Sequence, residues 1–354
     1  MKPLFMWAGG KNKMLSKYEE AGVLPPSFGS YIEPFFGGGA MFIWAYKQNP
    51  EATFHINDIN PHIIGIYKAV RDDCEVFCDV LNRLEGEYLP LPTPKQVGTN
   101  KELQRKHKRQ ERGRHDWDAI FNEEPTRRHF YFKLRDHYAW NYEKWSPTFE
   151  AAVLYFLMKT GFNGIWQSSK KAKGKFYTPA GLLNHKDVVY DKVNVMLWSK
   201  LLNDKKVELT SKDWSDVTMG DFTFYDPPYR DSFTSYNTDF GDEQHKKLIA
   251  RVEETRKQGK YVWLCNRDAG DGFFDNLKST IKRFPITYTA GRRKVNLIEH
   301  RFQKTGPVLV LHESYGAKQA TEILLFNHET PSTSTLFKLL PCVTQQLVLQ
   351  LDNN

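Results

Sequence analysis

Near the N-terminus, an apolar run twice ends in an acid or a glycine turn and passes into a stretch with helical spacing. "GSYIEPFFGGGAMFIWAY" (29–46) predicts a short strand, a glycine-rich turn and a helix, and "ATFHINDIN" (52–60) predicts a strand ending in acid, followed by helical "PHIIGIYKAV". This alternation opens an α/β sheet. The rhythm is lost from 84 to about 128, where "YLPLPTPK" leads into a basic run, so this part is expected to be an insertion or a separate subdomain. Helical pattern returns in "FYFKLRDHYAW" and "FEAAVLYFLMKT", and 161–182 reads as turns with a lysine-rich loop. Alternation then resumes with strands in "KVELTSKDW" and "DFTFYDPPY", a helix in "DEQHKKLIARVEETRKQG" and a strand in "KYVWLCN". "FPITYTAGRR" and "TEILLFN" read as further strands; the apolar end "LFKLLPCVTQQLVLQL" receives no assignment.

At 354 residues and 40% hydrophobic, the chain can bury one large core or two smaller ones. Its net charge of +8 points to an anionic partner, which could be nucleic acid, a membrane or an acidic protein. The charge is concentrated: "KELQRKHKRQERGR" (101–114) holds seven Lys/Arg against two acids, "KKAKGK" (170–175) adds four lysines, and the rest is close to neutral. No apolar run approaches the ~18 residues that span a bilayer, and no secretory core is visible, so no membrane partner is expected. Four scattered cysteines make neither a disulfide scaffold nor a zinc site, and a reducing, cytoplasmic setting is expected.

Gly37, Gly38 and Gly39 allow a sharp turn and close backbone approach to a ligand. Asp58, 25 positions after Glu33 at the end of the next strand, suits ribose hydroxyls, so the pair predicts a nucleoside-containing cofactor. "WAGGKNK" (7–13) lacks phosphate-loop spacing and by itself reads as a loop with a solvated Lys11. In "FYDPPY" the two prolines stiffen the turn after a strand. There the Asp226 carboxylate and the Pro227 carbonyl can accept both hydrogens of an exocyclic amino group, while Tyr229 offers a stacking face, with Pro228 completing the turn.

In order, "WAGGK", "YIEPFFGGGAMF", "INDIN", "GFNGIW", "GKFYTPAG", "FYDPPY" and "FTSYNTDF" resemble the Dam-like (type II, alpha-group) DNA adenine-N6 methyltransferases, in patches from about 5 to 327. The resemblance implies a Rossmann-like α/β sheet binding S-adenosylmethionine, with an inserted, mainly helical target-recognition subdomain. The implied division is a catalytic domain of 1–83 and 183–330, a recognition region of 84–182, and a tail of 331–354. Trp7, Ala8 and Lys11 would lie over the cofactor or target base, Glu33, Pro34, Phe35 and Gly37 would form the cofactor loop with Asp58 on the ribose, and Asp226 to Tyr229 would form the catalytic pocket. Phe162, Asn163, Ile165, Gln167, Lys170, Lys171, Lys173 and Lys175 would read or grip double-stranded DNA, and Tyr236 lies in the loop that would close on it. The reaction needs alignment and electrostatics rather than a metal, and the target adenine must leave the base stack.

GATC-reading members generally carry an arginine three positions after the "FNG" glycine, suited to guanine; here Gln167 stands there, which favours adenine and predicts a different or relaxed site. Alternatives are transfer to cytosine N4 or RNA adenine, where the motif more often begins with Ser or Asn, and a catalytically silent DNA-binding relative. Oligomeric state is left open.

Overall fold

The computed structural model describes residues 1–7, 9–23, 27–93, 126–164, 166–168, 175–204, 207–230, 240–275, 277–288, 297–303, 306–312 and 318–328. Strands β1 (Ser30–Glu33), β2 (Thr53–Asn57), β3 (Val207–Thr210), β4 (Phe222–Tyr225), β5 (Tyr261–Asp268), β6 (Thr280–Tyr288) and β9 (Lys318–Phe326) form one sheet in the order β3-β2-β1-β4-β5-β9-β6. The first five pair in parallel, while β9 runs antiparallel between β5 and β6. Strands β7 (Leu297–Gln303) and β8 (Gly306–His312) form a separate antiparallel pair. β4 is buried at all four positions, as expected of a central parallel strand covered on both faces.

Helices α1 (Asn12–Glu20), α2 (Ala40–Gln48), α3 (Pro61–Asp72), α4 (Cys74–Tyr88), α5 (Arg127–Asn141), α6 (Pro147–Thr160), α7 (Lys192–Leu202) and α8 (Asp242–Lys257) surround the sheet. Their starts follow local chemistry. Asn60 accepts from the His62 amide with Pro61 at the first helical position, and Ser146 does the same for Phe149 ahead of α6. Residues 151–158 of α6 are all buried, so this helix runs through the interior rather than along a surface.

The boundary expected at 83/84 falls within α4, and α6 shares one core with α3, α4 and the sheet. The apolar surface after residue 126 is therefore continuous with the sheet's core. Among the described residues no helix is long and apolar enough to cross a membrane.

Candidate active site

The order β3-β2-β1-β4-β5 reverses direction between β1 and β4, and the carboxyl ends of these strands carry the acids singled out in the sequence. That crevice is where open α/β sheets bind ligands. Glu33 closes β1, Asp58 follows β2 and Asp226 follows β4.

Lys11 is 2% exposed, so its reading as a solvated loop residue does not hold. It stands at the N-cap of α1. Its ammonium lies 2.8 Å from Asp226 Oδ1 and 3.9 Å from Glu322 Oε2. It also donates to the Tyr229 hydroxyl at 2.6 Å and the Gly9 carbonyl at 3.0 Å. Burial opposes the charge, but the two carboxylates more than offset it and hold the lysine pKa above its ordinary value. Asp226 keeps 20% of its side chain exposed at the crevice floor. Burial raises its pKa to about 6, Lys11 pulls it down and Glu322 pushes it up.

The Tyr229 hydroxyl donates to Glu322 Oε2 at 3.0 Å, which fixes the ring by its inner end. Tyr18 on α1 donates to Glu322 Oε1 at 2.6 Å and lies 3.3 Å from Cys265 Sγ. Glu322, Tyr18 and Cys265 escaped the sequence reading. "TEILLFN" announces a strand, but only its antiparallel insertion beside β5 carries an acid near its start to the edge where Asp226 lies.

The glycine loop is braced from several sides. The Phe36 amide donates to the Asn57 carbonyl at 2.9 Å, and Asn57 Nδ2 donates to the carbonyls of Pro34 and Lys212. Asp58 accepts the Gly37 amide on one oxygen and the Asn60 amide on the other, each at 2.9 Å. Gly37 adopts φ +53°, and a Cβ there would come within 2.5 Å of Trp7 Nε1, so the indole rests on the loop backbone. Glu33 is buried with Tyr31 donating to it at 2.8 Å; burial raises its pKa well above the carboxylate range, and Asp226 adds to the effect. Burial also raises that of Asp58, against its two amide donors. Phe35 faces the other side of the sheet, 6.1 Å from Trp214 in a near-parallel stack and 5.7 Å from Phe240.

Arg230, next after the Asp-Pro-Pro-Tyr turn, was also missed. It forms a two-pronged pair with Asp242 (2.9 and 3.2 Å) and reaches Asp271 at 2.7 Å, with its guanidinium 3.8 Å above the Phe273 ring. The clamp ties the end of the turn to the start of α8.

Of the expected DNA contacts, Phe162 is 48% exposed, and Asn163 lies with it in a 3₁₀ turn, Phe162–Gly164. Gly164, at φ +60°, packs against Met6, one residue before Trp7, so this turn touches the segment leading into the crevice. The Gln167 amide donates to Thr178 Oγ1 at 3.1 Å and its carbonyl accepts from the Tyr177 amide at 2.7 Å, fixing its backbone against residues 177 and 178. Lys175 is engaged with Glu143 at 3.9 Å and with the rings of Trp140 and Tyr142. Ala8, Ile165, Lys170, Lys171, Lys173, Tyr236, the basic run 101–114 and the tail lie outside the described residues.

Among the described residues, no group of three or more His, Cys, Asp or Glu is arranged to hold a metal. Instead Asp226 and Glu322 face the Lys11 ammonium, with Glu33 and Asp58 at the ends of the neighbouring strands β1 and β2. Carboxyl groups at these strand ends suit a ligand with positive centres, which would favour their ionised forms, and S-adenosylmethionine carries two, a sulfonium and an ammonium.

A model of the D12 class of N6 adenine-specific DNA methyltransferases matches residues 7–295. The chain is 29% identical over 317 residues to Type II methyltransferase M.MjaIII of Methanocaldococcus jannaschii, covering 84% of this chain and 97% of that one. It is 25% identical over 281 residues to Type II methyltransferase M1.LlaDCHI of Lactococcus lactis subsp. cremoris (75% and 81%). A third similarity is to Type II methyltransferase M.CviBI of Paramecium bursaria Chlorella virus NC1A, 25% identical over 262 residues (73% and 81%).

Proposed function

Because the chain belongs to the D12 class of N6 adenine-specific DNA methyltransferases and methylates adenine N6 in DNA, we propose that Asp226 and the Pro227 carbonyl receive the amino group of a flipped adenine. The observation that carries this is the Asp226 carboxylate, held 2.8 Å from a buried lysine at the end of β4, where the sheet changes direction. Adenine's amino lone pair is delocalised into the ring. Accepting its two hydrogens at fixed points turns the nitrogen toward tetrahedral geometry and aims the lone pair, so catalysis is alignment plus electrostatics. Lys11 keeps one carboxylate oxygen in place and helps keep the group ionised. S-adenosylmethionine, when bound, supplies an electrophilic methyl on a positively charged sulfur. Glu33 would pair with the cofactor's ammonium, Asp58 has lone pairs beyond its two amide bonds for the ribose hydroxyls, and Trp7 would cover the cofactor beside Gly37. The N6 proton leaves after the lone pair has been used, so no strong base is needed. The segment 162–175 would read the duplex, with Gln167 favouring a base other than guanine at its position.

The test is transfer of labelled methyl to unmethylated genomic DNA, with nucleoside analysis and single-molecule mapping of the modified sites. N6-methyladenine is expected with the parent protein, and Asp226→Ala is expected to lose at least ~10²-fold in rate while keeping cofactor binding. An active Asp226→Ala variant would remove the assignment of this residue. Modification confined to GATC would remove the role given to Gln167.

A further inference from the structure

Glu322 lies at the meeting point of three elements distant in sequence. Strand β9 turns alternate side chains to the two faces of the sheet. Leu324 and Phe326, on the same face as Glu322, join the core that holds Tyr18, whereas Ile323 and Leu325 join the core beneath α8. An acid in such a strand sits 4% exposed and requires partners. One oxygen takes the Tyr18 hydroxyl at 2.6 Å, and the other takes the Tyr229 hydroxyl at 3.0 Å and faces the Lys11 ammonium at 3.9 Å. Two of these three groups, Tyr229 and Lys11, are also the ones that contact or flank Asp226.

We propose that Glu322 is a positioning residue for methyl transfer, holding Tyr229 and Lys11 so that the Asp226 carboxylate keeps its place at the crevice floor. The inference rests on the assignment of Asp226 above. Two effects follow from the geometry. Through Tyr229 and Lys11, the acid fixes the catalytic turn from below, where a displacement of about 1 Å is enough to cost on the order of 10²-fold in rate. Through its negative charge, it acts on the ionisation of Asp226. That carboxylate is faced by Lys11 at the start of α1, Tyr229 on its own turn, Glu322 on β9, Glu33 and Tyr31 on β1 and Cys265 on β5. Glu322 raises the Asp226 pKa, so neutralising it lowers that pKa.

The experiment measures single-turnover methyl transfer across pH at saturating cofactor and DNA, with separate binding assays for each ligand. Glu322→Gln is expected to lower the plateau rate on the order of 10²-fold. Both ligands should remain bound within about threefold, and the acid limb of the pH profile should move down by about one unit. A parent-like plateau and limb would overturn the proposal and leave Glu322 as packing alone. Should Glu322→Gln fail to fold, Glu322→Asp and Tyr18→Phe decide. Each should slow transfer about tenfold with binding retained, and parent-like rates in both would equally overturn it. Asp226→Ala, run beside them, separates the two levels: an active Asp226→Ala removes the underlying assignment, whereas a dead Asp226→Ala beside an unaffected Glu322 series removes only this inference.

Discussion

At the scale of single residues, the crevice places opposed charges around Asp226. Lys11 at 2.8 Å favours its ionised form, while burial and Glu322 oppose it, and the balance leaves a pKa of about 6. In the role proposed for it, Asp226 accepts an amino hydrogen most strongly as the carboxylate. The group is charged above its pKa, so turnover should be full at neutral pH and fall as pH drops through about 6, approaching tenfold per unit further down. Lys11→Met removes the influence that lowers the Asp226 pKa, so its acid limb should move to higher pH, opposite in sign to Glu322→Gln. Rate–pH profiles of the two variants, compared with the parent, check both directions. Identical limbs in Lys11→Met and parent would mean that another group controls the profile.

At the scale of elements, junctions decide what is presented to a ligand. The β1–α2 junction combines two constraints at Gly37: a left-handed backbone and an indole lying where a side chain would be. Gly37→Ala would bring its Cβ to 2.5 Å from Trp7 Nε1 and add the backbone penalty of roughly 1–2 kcal/mol for a non-glycine residue in this conformation. The loop would have to move off Trp7, and calorimetry should show cofactor affinity falling about tenfold or more, with the far-UV spectrum unchanged. Unaltered affinity would mean that the loop does not contact the cofactor. This junction was legible in sequence because its chemistry is local: strand, acid, three glycines and an apolar helix occur within one stretch. Asp226 was legible for the same reason, on an apolar strand with two prolines behind it. Lys11 was placed in the site only by the family resemblance, since by itself a lysine after two glycines reads as solvated until Asp226 and Glu322 are brought around it. Glu322 and Arg230 likewise depend on partners outside their own strand or turn, Glu322 on Tyr18 and Tyr229, Arg230 on Asp242 and Asp271.

At the scale of the whole molecule, charge is divided between two tasks. The crevice sets Asp226 and Glu322 against Lys11 with Glu33 and Asp58 buried at the neighbouring strand ends, whereas the chain as a whole carries +8. Several described arginines are already paired with acids, among them Arg135, Arg230, Arg251 and Arg283, and Lys175 is turned toward Glu143. The surplus lies in 101–114, where seven Lys/Arg stand against two acids, and in the lysines of 170–175. If those stretches neutralise DNA phosphates, binding should weaken with salt, with each neutralised phosphate contributing roughly 0.9 to the slope of log affinity against log salt. Deleting 101–114 should then lower DNA affinity at low salt and make that slope shallower by several units, while cofactor affinity stays as in the parent, because the crevice does not depend on that charge. Fluorescence anisotropy with a duplex across a salt series separates the outcomes. A shallower slope with intact cofactor binding assigns the segment to the DNA backbone, whereas an unchanged slope means that its charge faces solvent and that phosphate contacts must come from elsewhere on the surface.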